Sequence, residues 1–239
     1  MVYAKPFFDL QLGFAEKVTA VSGLPLSRAL LEYTNLYVRF GLGRAFDAAH
    51  PAWRAYLAGV ERGDDLRAWT YAFYLTKPGP MMTPPVEASS GCFAYARLDD
   101  TRIRLHFQDA ETDGHSPLAR DRVPQRLADL AALFAHVKRD ERRPLRVVGA
   151  SWLYNVAAYR RLFPSSYLAT AHVKAHRFQH MPLWGQFLDR HGALKDTMTR
   201  PFLLRLEHQQ GVERLADCFP FQALSVEAPA SEFYDFYGV

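Results

Sequence analysis

The chain is short of the features that most often declare a function. Only two of its 239 residues are cysteines, Cys92 and Cys218, far apart and with no motif around either. That excludes a disulfide framework and a cysteine-built metal site, and both thiols are expected buried in a reducing cytoplasm. No run of about 18 apolar residues occurs, so no membrane-spanning helix is expected. The amino terminus, MVYAKPFFDLQLGF, lacks the charged leader and long apolar core of a secretory signal. The glycine-rich phosphate loops, GxxxxGK followed by Ser or Thr and GxGxxG, are absent. Neither an internal repeat nor a low-complexity tract is present.

What remains is a globular composition. Hydrophobic residues make up 49% and charged residues 23%, with a formal charge of +4 and a pI near 9.1. This mild basicity suits an anionic ligand but lies within the ordinary spread of proteins. Residues 6–78 carry helical spacing. Phe7, Leu10, Phe14, Val18 and Val21 form one stripe. Leu26, Ala29, Leu30, Tyr33, Leu36, Tyr37 and Phe40 form another, ended by Gly41 and Gly43. Asp47 or His50 begins a third helix with Pro51 in its first turn, and 66–75, aromatic throughout, fits a helix or a strand, with helix the favoured reading. The aromatic density of these segments is that of a packed core. Residues 77–91 contain four prolines and two glycines, so a linker over 79–91 separates a helical region, 1–78, from a mixed α/β domain, 92–239.

The second half opens with alternation. Arg102, Arg104, His106 and Gln108 interleave with Ile103, Leu105 and Phe107, which predicts a hairpin strand whose partner is 93–97, turning at Asp99-Asp100. Residues 117–138 read as a helix, 145–150 as a buried strand, 152–163 as a helix stopped by Pro164, and 167–173 as a second strand. That order makes a βαβ unit around 145–173, with 145–150 central and beside the hairpin. Helices follow at 182–191 and 199–209, then a strand at 221–226 and a tail helix capped by Ser231.

Several residues admit both a chemical and a purely structural reading. Gly149-Ala150-Ser151 lies between a strand and a helix, as a hydrolase nucleophile elbow does, but Leu153 stands where that turn needs a small residue. Ser151 is better read as a helix cap, and a capped helix start at a strand end favours an anionic ligand. His172, His176 and His180 are spaced by four, yet the surrounding alternation is that of a strand and no carboxylate sits among them. No metal is expected there. Arg97, Arg102, Arg104, Lys174 and Arg177 could share one sheet face, but no nucleic-acid-binding module accompanies them, so neither nucleic acid nor membrane is expected as a partner.

Hairpin 92–108, loop, helix 117–138, strand 145–150, helix 152–163 and strand 167–173 follow an order that resembles the core of GNAT-like acyltransferases. The likeness is to divergent bacterial domains of that type with an additional helical amino-terminal half. Ser151-Trp152-Leu153, Asn155-x-x-Ala158 and Leu162-Phe163-Pro164 carry it, over about residues 92–175. The resemblance implies an α/β (α+β) fold: a helical amino-terminal half packed on a mixed sheet with a β-β-α-β-α-β core. It also implies coenzyme A, which composition and spacing do not imply by themselves. The loop after the hairpin would hold the pyrophosphate, with Gly114 and Ser116 fitting the family pattern and Glu111 and Asp113 opposing it by like charge. Asn155 would contact the pantetheine arm, and Ser151 would add a side-chain hydrogen bond. The family's usual tyrosine position holds Leu162 here, with Tyr159 a turn earlier. The reaction implied is direct acyl transfer to an amine. His106 would serve as base, Tyr154 or Tyr159 as acid toward the leaving thiolate, and N–H groups at a strand splay would polarise the thioester. The other reading is a non-catalytic small-molecule-binding or interaction module on the same fold.

Overall fold

The structure, a computed structural model, describes residues 2–63, 65–76, 86–111, 114–140, 143–173 and 181–239. Five helices come first: α1 (Lys5–Ser22), α2 (Leu26–Tyr33), α3 (Leu36–Arg39), α4 (Pro51–Glu61) and α5 (Leu66–Leu75). Strands β1 (Ala88–Ser90), β2 (Phe93–Asp99) and β3 (Arg102–Phe107) follow, then α6 (Val123–Asp140) and β4 (Arg146–Ser151). Two short helices, α7 (Ala157–Arg160) and α8 (Ser165–Ala169), lead to β5 (His172–Val173). The chain ends with α9 (Asp196–Glu207), β6 (Leu224–Pro229) and α10 (Ala230–Tyr237). It divides into two compact units, one of residues 1–82 and 175–222, the other of 83–174 and 223–239. The stretch 175–222, read from sequence as part of the second domain, thus groups with the amino-terminal helices.

In the helical unit, α1 buries Phe7, Leu10, Phe14 and Val18, as its stripe predicts. The helix expected over 26–40 is broken in two. The Thr34 hydroxyl donates to the Leu30 carbonyl at 2.5 Å, and the buried Gln11 side chain accepts the Asn35 N–H at 2.8 Å. Side chains thereby take over backbone groups that a continuous helix would have paired. α4 starts as expected, with Pro51 in its first turn and His50 Nδ1 accepting the Ala52 N–H. The predicted helix at 182–191 is a 3-10 segment, Met181–Phe187. Its Trp184 is fully buried against Phe14, Phe187, Phe202 and Phe219, and donates to the Tyr33 carbonyl at 3.2 Å.

The second unit holds one six-stranded mixed sheet of order β1-β2-β3-β4-β6-β5. The predicted hairpin is present: β2 and β3 are antiparallel, turning at Asp100 and Thr101, one residue later than expected. β4 is interior, parallel to β3 and antiparallel to β6. One face buries Tyr95, Ile103, Leu105, Val147, Val226 and Ala228 with Leu130, Phe134 and Val137 of α6 and Phe233 of α10. Phe134 and Phe233 stack at 4.6 Å.

Four sequence expectations fail here. The helix at 152–163 is a 3-10 turn, Trp152–Asn155, followed by α7, because Val156 is extended. Pro164 leads into α8 rather than ending a helix, so 167–173 is helical to Ala169 and only His172 and Val173 form strand. β5 pairs antiparallel with β6, so the parallel βαβ unit is β3-α6-β4, one step earlier than expected. Finally, Ser231 makes no cap, since α10 begins directly after Pro229.

Candidate functional site

The parallel pair β3–β4 is short. Its ladder runs from Arg102 opposite Arg146 to Arg104 opposite Val148 and stops. Beyond that point Leu105–Phe107 continues to pair with β2, and Gly149–Ser151 with β6. The two strands therefore part at their carboxyl ends, forming the splay in which ligands of parallel strands collect.

On the helix-covered side, buried aromatic rings pack where the ladder ends. Phe107 meets Tyr159 edge-on at 5.4 Å, and Tyr159 meets Tyr154 and Phe163 at 5.2 and 4.9 Å. The Tyr154 and Tyr167 hydroxyls hydrogen-bond at 2.9 Å. A side chain at Gly149 would collide with both of those hydroxyls, so the close approach of strand to tyrosine requires glycine. Burial drives the Tyr154 and Tyr159 phenols well above their ordinary value, with neighbouring tyrosines adding to it. Both residues, expected to serve as acids, are core residues with 2% of their surface exposed.

His106 alternates with Leu105 and Phe107 along β3, which places it on the opposite face of the sheet from the tyrosines. The structure thus sets the expected base and the expected acids on the two sides of the splay. Ser151 ends β4, and its hydroxyl accepts the Leu153 N–H at 3.1 Å, a cap as the sequence suggested, though of a four-residue 3-10 turn. Asn155 Nδ2 donates to the Trp152 carbonyl at 2.8 Å and closes the same turn. Gly114 and Ser116 are exposed in the loop before α6, with Gly114 at φ +84°. That loop is tied to α7 by Arg161, whose guanidinium donates to the Leu118 carbonyl at 2.6 Å.

Glu111 departs from its sequence reading. Its carboxylate turns inward to Arg126 at 2.7 Å, with Arg122 at 3.8 Å. The like charge that was expected to repel a phosphate is neutralised, and only 14% of that side chain is exposed. Asp113 lies outside the described residues.

The proposed basic face is divided. Arg97 lines a cavity of about 630 Å³ with Asp100, Arg139, Asp140, Arg143 and Leu145. Arg102 and Arg104 line another, of about 260 Å³, with Ala150, His172, Ser225 and Glu227. Three of these cations have acidic neighbours: Arg97 with Glu87, Arg102 with Asp99, and Arg143 with Asp100. Lys174, Arg177, His176 and His180 lie outside the described residues. His172 is exposed and its ring pairs with the Thr170 carbonyl. Among the described residues no helix is long and apolar enough to cross a membrane.

Sequence reasoning missed the Arg126 cluster and the Tyr154–Tyr167 pair. The signal available was an arginine and an aspartate, Arg126 and Asp129, on the apolar stripe of a helix, where charge is unusual unless paired.

The fold and splay define a mixed α/β protein with a parallel strand pair open at its carboxyl end. Compared with known proteins, the chain matches no family model, and no curated protein or solved structure is significantly similar to it.

Proposed function

We propose that the sheet unit is a GNAT-like domain that takes coenzyme A thioesters into the β3–β4 splay and passes the acyl group to an amine. The observation that carries this reading is the end of the parallel ladder at Arg104 and Val148. Two diverging strand edges offer backbone groups to an inserted chain, and the two amides of a pantetheine arm can pair with them as a strand would. The element order β2-β3-α6-β4 also supports the reading, although short helices and a two-residue β5 antiparallel to β6 stand where that core has a helix and a further strand.

The chemistry would cross the sheet. An acceptor amine approaching the His106 side loses its proton to the imidazole, and its nitrogen attacks the thioester carbonyl held at the splay. N–H groups of the strand edges stabilise the oxyanion. Collapse expels the thiolate on the tyrosine side, where Tyr154 or Tyr159 supplies a proton. The tyrosines hold that proton tightly, so the thiolate must come within hydrogen-bonding distance of a phenol now in the core. Loop 114–119, with Gly114 and Ser116, would hold the pyrophosphate, and Asn155 the pantetheine.

A second reading has its own observation. Tyr154 and Tyr159 are almost wholly buried, and the Tyr154 hydroxyl is already paired with Tyr167. A domain that binds the thioester without turning it over fits that sealed acid.

Calorimetric titration with acetyl-coenzyme A and a long-chain acyl-coenzyme A, alongside thiol release with a panel of primary amines, decides between them. Binding, weakened in Asn155→Ala, with thiol release lost by about a hundredfold or more in His106→Ala, supports transfer. Binding without release supports the second reading, and no binding to either thioester removes both.

A further inference from the structure

Deep beside the loop that follows β3 lies a charged cluster with no part in the chemistry above. Arg126, on the first turns of α6, is 4% exposed. Its guanidinium reaches Glu111 at 2.7 Å and Asp129 at 3.1 Å, and touches the Cys92 sulfur. Cys92 also accepts the Ala110 N–H, and its carbonyl accepts the Gln108 N–H at 3.0 Å. Gln125 donates to the other Asp129 oxygen at 3.0 Å. The start of the hairpin, the exit of β3 and the start of α6 therefore meet on one side chain.

Burying a guanidinium with two carboxylates is costly unless the geometry is held, and gains little stability over apolar packing. Here it has a specific electrostatic consequence. Glu111 stands three residues before the exposed loop beginning at Gly114, and an outward carboxylate there would face any phosphate the loop holds. We infer that Arg126 is a positioning residue that draws Glu111 inward and so keeps the loop mouth open to an anionic ligand. This rests on the reading of loop 114–119 as a pyrophosphate site, and concerns what permits that site to work.

The inference separates from a merely structural role through suppression. In Arg126→Met the Glu111 carboxylate keeps only its longer contact to Arg122, at 3.8 Å, and turns to the loop mouth. Coenzyme A affinity should fall roughly tenfold, with the loss growing at low ionic strength. Adding Glu111→Gln removes the offending charge and should restore most of that affinity, although the packing around Arg126 is still missing. Glu111→Gln alone should bind at least as tightly as wild type. If Arg126→Met does not fold, Arg126→Lys, which keeps the charge but cannot fork to Glu111, Asp129 and Cys92 together, carries the same comparison. A ligand-free measurement accompanies these titrations: hydrogen exchange at the Ala110 and Glu111 amides, and modification of Cys92 by a thiol reagent. Both should accelerate at least tenfold in the Arg126 variant. Unchanged exchange and thiol protection would overturn the inference whatever coenzyme A does, and so would failure of Glu111→Gln to restore binding. Protection lost as expected, with no binding of coenzyme A to wild type, would instead overturn the ligand reading and leave the role of Arg126 in holding Glu111 standing.

Discussion

The hydroxyls of Tyr154 and Tyr167 meet at 2.9 Å directly against Gly149, leaving no room on β4 for a side chain. Gly149→Ala should therefore destabilise the sheet unit by about 1–3 kcal/mol, as overpacking does when the obstructing groups are themselves buried. Ala150→Ser, one residue on and exposed, should change stability by no more than about 0.5 kcal/mol. Denaturant unfolding of the two variants measures the contrast.

Removing one hydroxyl of that pair should cost more than removing both. Tyr154→Phe leaves the Tyr167 hydroxyl buried and deprived of its partner, a loss of about 1–3 kcal/mol. Tyr154→Phe with Tyr167→Phe should recover part of it. A double mutant less stable than either single would contradict the account.

The buried phenols also set an alkaline limit. Burial pushes Tyr154, Tyr159 and Tyr167 above the ordinary value of 10.0, as it does Tyr237. The unfolded chain then binds fewer protons than the folded one above about pH 10, so this contribution is whole below pH 10 and shrinks as pH rises. Phenolate absorbance from these four should appear only with unfolding, whereas titration in the folded state would show them accessible.

At the other end of the scale, the hairpin turn has an acid limit. The Arg102 guanidinium, with the Thr101 N–H and hydroxyl, holds the Asp99 carboxyl down to about 2 from an ordinary 3.8. Its contribution should be present above about pH 4 and lost as the pH falls toward 2, a dependence that Asp99→Asn abolishes.

How much of this was readable beforehand depended on whether the cause was local. The β2–β3 hairpin and α1 are visible in alternation or helical spacing, because each buries one continuous face, and β4 in a short apolar run. The break between α2 and α3 is not, since it depends on Gln11 capturing the Asn35 amide from 24 residues away. Nor does periodicity reveal Trp184 closing the helical core, 151 residues from the Tyr33 carbonyl it binds. The Trp152–Ala169 stretch misled for a different reason: its aromatics at helical spacing pack around Gly149 from a broken chain rather than from one helix. Of the candidate site residues, Ser151 had its capping role in plain view. The inward turn of Glu111 required the position of Arg126.

The helical unit carries its own prediction. Trp184→Ala removes a fully buried indole from among four phenylalanines and should cost about 3–5 kcal/mol, read from denaturant unfolding. A loss under about 1 kcal/mol would mean that 181–187 does not close that core.

The central claim is that a thioester carrier enters where β3 and β4 part. Backbone amide chemical shifts recorded during titration with coenzyme A test it most directly. The account predicts saturable shifts at Leu105–Phe107, Gly149–Ser151 and the loop 114–119, with Arg102–Arg104 and Arg146–Val148, inside the ladder, nearly still. Shifts confined to the charged cavity by Arg97 and Arg143, shifts within the helical unit alone, or none at all, would contradict it.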